Sequence, residues 1–112
     1  MRRVILESPW AGNIERNKIY AFNAMRDSLG RGEAPFASHL LYTQMLNDDV
    51  PNERRIGIAA GLSWGIVAEA TVVYIDYGIS AGMQQGIDRA YAEGRPVEQR
   101  RLWAERSLPE AS

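Results

Sequence analysis

The 112-residue chain contains no cysteine, which excludes disulfides, thiolate metal sites and cysteine nucleophiles. Its single histidine, His39, is too few for a transition-metal site, so no metal and no cofactor are expected. Neither sign of charge dominates: 13 basic and 14 acidic residues give a formal net charge of −1. The basic surplus of a protein that binds a nucleic-acid polymer or an anionic membrane is missing. No apolar run approaches the roughly 20 residues of a membrane span. The run Val4-Ile5-Leu6 after Met1-Arg2-Arg3 stops at Glu7, far short of a signal-peptide core, so a cytoplasmic protein is expected. There is no Walker phosphate loop, and Gly78-Ile79-Ser80-Ala81-Gly82 departs from the dinucleotide fingerprint. Internal repeats and low-complexity segments are also lacking.

What remains is the composition of a globular domain, 46% hydrophobic and 24% charged. A chain of this length forms one domain with one core. Residues 1–101 read as the domain and 102–112 as a polar, irregular C-terminal tail apart from Trp103.

Val4–Leu6 reads as a buried first strand, followed by turn chemistry in Ser8-Pro9-Trp10-Ala11-Gly12. Asn13 is placed to cap a helix on which Ile14, Ala21, Met25 and Leu29 share a face and which Gly30 and Gly32 end. A short strand over Ala34–Ala37 follows, with Pro35 at its start. Ser38–Val50 reads as a long connection of the kind that carries function or moves. Pro51 opens a second helix, apolar on more than one side through Ile58, Leu62 and Ile66 and through Ile56, Ala59, Ser63 and Val67. That surface, with Trp64, leads us to expect a homo-oligomer. Thr71–Ile75 reads as the central strand, Ser80 caps a helix carrying Met83, Ile87, Ala90 and Tyr91, and Pro96-Val97 opens a fourth strand.

Strands and helices that alternate in this way predict a parallel sheet with right-handed crossovers, an α/β fold of about four strands. Such sheets bind ligands beyond the C-terminal strand ends, where strand order reverses. Three segments should meet there: Ser8–Asn13, Ser38–Tyr42 and Asp76–Met83.

Several residues on these segments carry chemistry. The Ser80-capped helix start, with Gly78, Gly82 and Met83, offers backbone N–H groups to a phosphate or a sugar hydroxyl; it also reads as an ordinary capped helix. His39 suits a phosphate donor or an acid–base group, and equally a loop histidine bonded to backbone. Trp10 and Tyr42 provide flat faces for a base, or close the core or an interface. Glu7 and Asp76, at strand ends, suit ribose-hydroxyl acceptors. Asp48 and Asp49 offer a carboxylate pair but, next to Pro51 and Asn52, read rather as a solvated helix start, and Arg54-Arg55 and Arg100-Arg101 read as solvated surface.

Three elements carry a family resemblance. Val4-Ile5-Leu6-Glu7-Ser8-Pro9-Trp10-Ala11-Gly12 resembles the opening segment of small, mostly uncharacterised phage and bacterial proteins of the DUF4406 and DUF7768 kind. Ala37-Ser38-His39-Leu40-Leu41-Tyr42 and Gly78-Ile79-Ser80-Ala81-Gly82-Met83 resemble two further elements of these proteins. They are similar in turn to the nucleoside 2-deoxyribosyltransferase and deoxynucleotide N-hydrolase superfamily. That resemblance implies a flavodoxin-like three-layer sandwich, a dimer or larger assembly, and a nucleotide-like small molecule in the three loops: Ser8, Pro9, Trp10, Gly12 and Asn13; His39 and Tyr42; Asp76, Gly78, Ser80, Gly82 and Met83. The superfamily cleaves or transfers the bond between deoxyribose and base with a glutamate nucleophile, which falls at Gly86 here (Gln84 or Gln85 in nearby registers). A supporting aspartate falls near Gly61. A glycosyl nucleophile requires a carboxylate.

The expectation is therefore a protein that binds a nucleotide or nucleotide-derived molecule without the superfamily's glycosidic chemistry, such as a phage sensor or sponge for a host nucleotide signal in the host cytoplasm. One alternative is an active N-glycosidase or deoxyribosyltransferase with a relocated acid from Asp76, Glu7 or His39. Another is an interaction protein with a vestigial pocket.

Overall fold

A computed structural model describes residues 1–103. Four strands, β1 (Arg2–Glu7), β2 (Glu33–Phe36), β3 (Ala70–Tyr74) and β4 (Val97–Arg100), form one sheet in the order β2-β1-β3-β4. Every pairing is parallel. The connections carry α1 (Ile14–Gly30), α2 (Ser38–Leu41), a 3-10 turn (Tyr42–Gln44), α3 (Pro51–Gly65) and α4 (Ala81–Ala92). This is the expected flavodoxin-like α/β architecture, and strand order reverses between β1 and β3. No helix among the described residues is long and apolar enough to cross a membrane.

Period-two alternation divides the sheet into two faces. Val4 and Leu6 pair in register with Ala70 and Val72, and with Tyr74 they pack against Tyr20, Ala21 and Ala24 of α1. Glu7 pairs with Val73 on the opposite face, where Val73 packs against Met83 and Ile87 of α4. β3 is buried throughout, as its unbroken apolar run implies. β2 begins at Glu33, one residue before the expected start, and Pro35 stands in its interior. The edge position of β2 allows this, because a proline there leaves no ladder donor missing inside the sheet.

Four expectations are corrected. The buried stripe of α1 is Asn17, Tyr20, Ala21, Ala24 and Ser28, whereas Ile14 and Leu29 are about half exposed. Small residues bring α1 close to the sheet, and its polar members are bonded: the Asn17 amide donates to the carbonyls of Trp10 and Ala11, and Ser28 donates to Glu33. Ser38–Gln44 is helical rather than an open loop, with Thr43 and Gln44 donating back to the carbonyls of His39 and Leu40. Arg100 is buried, not solvated. Its guanidinium grips Glu33 through two hydrogen bonds of 2.8 and 2.7 Å, and these hold the Glu33 carboxyl down at about 2. Finally, Leu102 is buried in the α1-side core and Trp103 packs on Tyr20 and Tyr77, so the ordered chain continues past 101. The remainder of the expected tail, 104–112, lies outside the described residues.

α3 is the least embedded helix. Pro51 occupies its first turn as expected, but Ile56, Ile58 and Trp64, and Ile66 and Val67 just past its end, are exposed. Its inward stripe is glycine at every fourth position. A side chain added at Gly57, Gly61 or Gly65 would meet Leu46, Ser38 or the Arg95 guanidinium, respectively.

Candidate functional site

A cleft of about 650 Å³ opens between α3 and α4 on the sheet face that carries Ile5, Glu7 and Phe36. This is within the range of small-molecule sites. Ser8 and Trp10 of the loop after β1, His39 and Tyr42 around α2, and Ser80, Gly82 and Met83 at the start of α4 reach it from the three segments expected to converge.

Glu7 is the chemically unusual group. No described residue makes a hydrogen bond or an ion pair with its carboxyl. No unpartnered side-chain oxygen among the described residues is fully sealed, so the Glu7 oxygens open to the cleft they line. Burial pushes the Glu7 carboxyl up to about 8, against a smaller downward pull from the Arg95 charge. The carboxyl occupies the space over Gly86: a Cβ at that position would lie 2.9 Å from Oε1 and closer still to Oε2. A Cβ at Gly61 would lie 2.6 Å from Ser38 Oγ. At both positions where the superfamily resemblance implies a carboxylate, the volume is already taken by a side chain from another element.

Ser8 Oγ and His39 Nε2 share a hydrogen bond of 2.7 Å, and the Trp10 ring stands edge-on to the imidazole at 6.0 Å. Burial lowers His39 to about 4, so the ring is neutral at neutral pH. Arg95 also lines the cleft. It donates to Thr71 Oγ1 at 2.9 Å, to the Gly65 carbonyl at 2.7 Å and to Glu93 at 2.6 Å. The cleft lining therefore holds a neutral acid, a neutral imidazole and a guanidinium engaged through Nε and Nη1. Such a set suits hydrogen bonding to an uncharged ligand and donation of a proton.

The other expected site residues lie elsewhere or are committed to local structure. Asn13 accepts from the Arg16 N–H as the cap of α1, and Gly12 and Gly78 hold turns at φ +97° and +85°. These three, with Pro9, are not in the cleft wall. Asp76 also lies outside it. It accepts from the Tyr20 hydroxyl at 2.6 Å and from the N–H groups of Leu102 and Trp103, clamping the chain after β4 to α1. The Ser80 hydroxyl accepts from the Met83 N–H, and the Met83 side chain is buried, so each reaches the cleft edge while serving its helix. Sequence reasoning missed Ser38, Phe36 and Arg95. The glycine period on α3 was a visible signal for a bare helix face; nothing local marked Arg95.

No curated protein matches the chain. Among solved structures it is similar to a 2-deoxyribosyltransferase of the psychrotolerant bacterium Bacillus psychrosaccharolyticus, described as a biocatalyst for the synthesis of antiviral and antitumoral nucleosides. The identity is 19%, the TM-score 0.64, and the match covers 88% of this chain and 72% of that one. At that identity the two share a fold. Residues 2–100 match the profile described as Domain of unknown function (DUF7768), and the chain belongs to that family.

Proposed function

We propose that the cleft between α3 and α4 binds a nucleoside- or nucleotide-like small molecule and holds it without a carboxylate nucleophile on α4. The observation that carries this reading is the Glu7 carboxyl, which opens without a partner among the described residues into a cleft at the strand-order reversal. The neighbouring Trp10 and Tyr42 rings suit a flat base. The fold shared with a deoxyribosyltransferase supports the choice of ligand class. A protein that holds such a molecule intact fits a sensor or a sponge of a nucleotide signal. Self-association through the exposed apolar side of α3 belongs to the same reading, and light scattering at micromolar concentration should report a dimer or larger species.

One observation favours a second reading: Glu7 stands where a side chain at Gly86 would begin. A neutral Glu7 can donate its proton to the base nitrogen as the C1′–N bond breaks. Water then adds to C1′ and returns a proton to the Glu7 carboxylate, leaving free base and free sugar. Calorimetry with nucleosides, nucleotides and ADP-ribose derivatives, followed by chromatography of the same mixtures, separates the two. Binding with intact ligand supports the first; release of base, lost in Glu7→Gln, supports the second. No binding at millimolar ligand overturns both.

A further inference from the structure

The Glu7 carboxyl has a property beyond its place in the cleft. It is the last residue of β1 and faces α4, where the bare backbone at Gly86 lies directly against it. The charged or titratable groups around it come from every neighbouring element. His39 of α2 is neutral. Arg95, ahead of β4, donates through Nε and Nη1 to Thr71, Gly65 and Glu93; its charge pulls the Glu7 carboxyl down less than burial raises it, and it makes no ion pair with Glu7. Glu53 and Arg54 of α3, Asp88 and Arg89 of α4, and Tyr42 and Asp48 between α2 and α3 also line the cleft, but none makes an ion pair or a hydrogen bond with Glu7. No cation is therefore seated on this carboxyl within the described residues.

A neutral carboxyl presents one O–H donor beside one carbonyl acceptor, whereas a carboxylate presents acceptors only. Leaving the O–H or the C=O of a neutral carboxyl buried without a partner carries a desolvation penalty, so a ligand that meets both is favoured over one that meets neither. The ligand edge that matches a neutral carboxyl has an acceptor next to a donor: the ring nitrogen and amino group of adenine or cytosine, or a carboxamide. A carboxylate would instead match two adjacent donors, as on an amidinium.

Building on the nucleoside reading of the cleft, we propose that Glu7 reads the ligand as an uncharged acid, pairing its O–H and C=O with an acceptor-plus-donor edge of a neutral base or carboxamide. Burial, which holds the Glu7 proton to about pH 8, agrees with this geometry. It follows that the proton is part of the recognition. Glu7→Gln, which keeps one donor and one acceptor in the same outline, substitutes for the native side chain at neutral pH.

The test is calorimetric titration with adenosine and with cytidine, whose bases do not ionise between pH 6 and 10. The wild-type protein should bind with constant affinity up to the Glu7 pKa in the free protein, about 8, and then weaken about tenfold per pH unit until the higher pKa in the complex is reached. In the weakening range, buffers of different ionisation enthalpy should reveal uptake of up to one proton per ligand. Glu7→Gln should bind within about threefold of wild type at pH 7 and stay flat to pH 10, and Glu7→Ala should bind weakly throughout. The wild-type titration needs no variant to fold. Wild-type affinity that is flat or rises from pH 7 to 10, or a loss of more than tenfold in a folded Glu7→Gln protein, overturns this inference and leaves the nucleoside reading standing. Failure of either nucleoside to bind, with binding of benzamidine instead, overturns it in favour of an ionised Glu7. Failure of every nucleoside to bind removes both readings.

Discussion

Glu7→Gln should stabilise the protein at neutral pH, even though it alters the candidate site. The folded state holds the Glu7 proton to about pH 8, while an unfolded glutamate releases it at 4.5. Above 4.5 the unfolded chain gains by ionising and the folded chain does not, so stability falls as pH rises from 4.5 towards 8. At pH 7 the difference is about 2.5 pH units of unequal ionisation, or roughly 3 kcal/mol at 1.36 kcal/mol per unit. Glutamine has nearly the same shape and does not titrate. The two proteins should therefore unfold in urea at similar midpoints at pH 4.5 and diverge as pH rises, with the variant ahead by roughly 3 kcal/mol at pH 7, or about 10 °C in Tm. All other titrating groups are common to both proteins and cancel in the difference. Equal stability at pH 4.5 and pH 7, or a variant less stable at pH 7, would refute the claim that Glu7 is held protonated.

Three further outcomes are expected. Gly86→Ala drives a Cβ into the Glu7 carboxyl and should destabilise by about 1–2 kcal/mol, while Gly82→Ala, with open space around it, should be neutral or stabilising. In a Glu7→Ala background the sign at position 86 should reverse to a gain of about 1 kcal/mol, which a urea double-mutant cycle measures. His39 resists its proton when folded, so stability should fall as pH drops from 6.5 towards 4, by roughly 3 kcal/mol, and His39→Gln should flatten that slope in thermal melts at pH 4–7. Arg100→Met leaves Glu33 buried without its principal cation and should cost about 3 kcal/mol at pH 7 by urea unfolding, far more than Arg55→Met on the exposed side of α3.

The alternation of strands and helices was legible because β1 and β3 are short apolar runs and the three long helices start with a signal, the caps Asn13 and Ser80 and the first-turn Pro51. Convergence of the segments around Trp10, His39 and Ser80 followed from the topology of a parallel sheet alone. Side-chain partners were not legible. The sequence places Glu7 and Asp76 alike at strand ends, yet one opens into the cleft and the other accepts from Tyr20, Leu102 and Trp103. The difference depends on which sheet face each side chain takes and on a chain segment 26 residues away in the case of Leu102. Arg100 reads as surface in a charged stretch, and only its partner Glu33, 67 residues distant, makes it interior. Gly86 reads as a lost catalytic position; in three dimensions it is also the space that Glu7 fills.

The central claim is that the cleft between α3 and α4, with a protonated Glu7 at its floor, is a nucleoside-type binding site. The most direct measurement is an NMR titration of isotope-labelled protein with adenosine and cytidine at pH 7, with the Glu7 carboxyl carbon followed alongside the backbone amides. The account predicts shifts concentrated at Glu7, Ser8, His39, Gly82 and Gly86, and a Glu7 carboxyl that titrates near pH 8 in the free protein. Shifts confined to other surfaces, or a Glu7 carboxyl already ionised at pH 5, would contradict it.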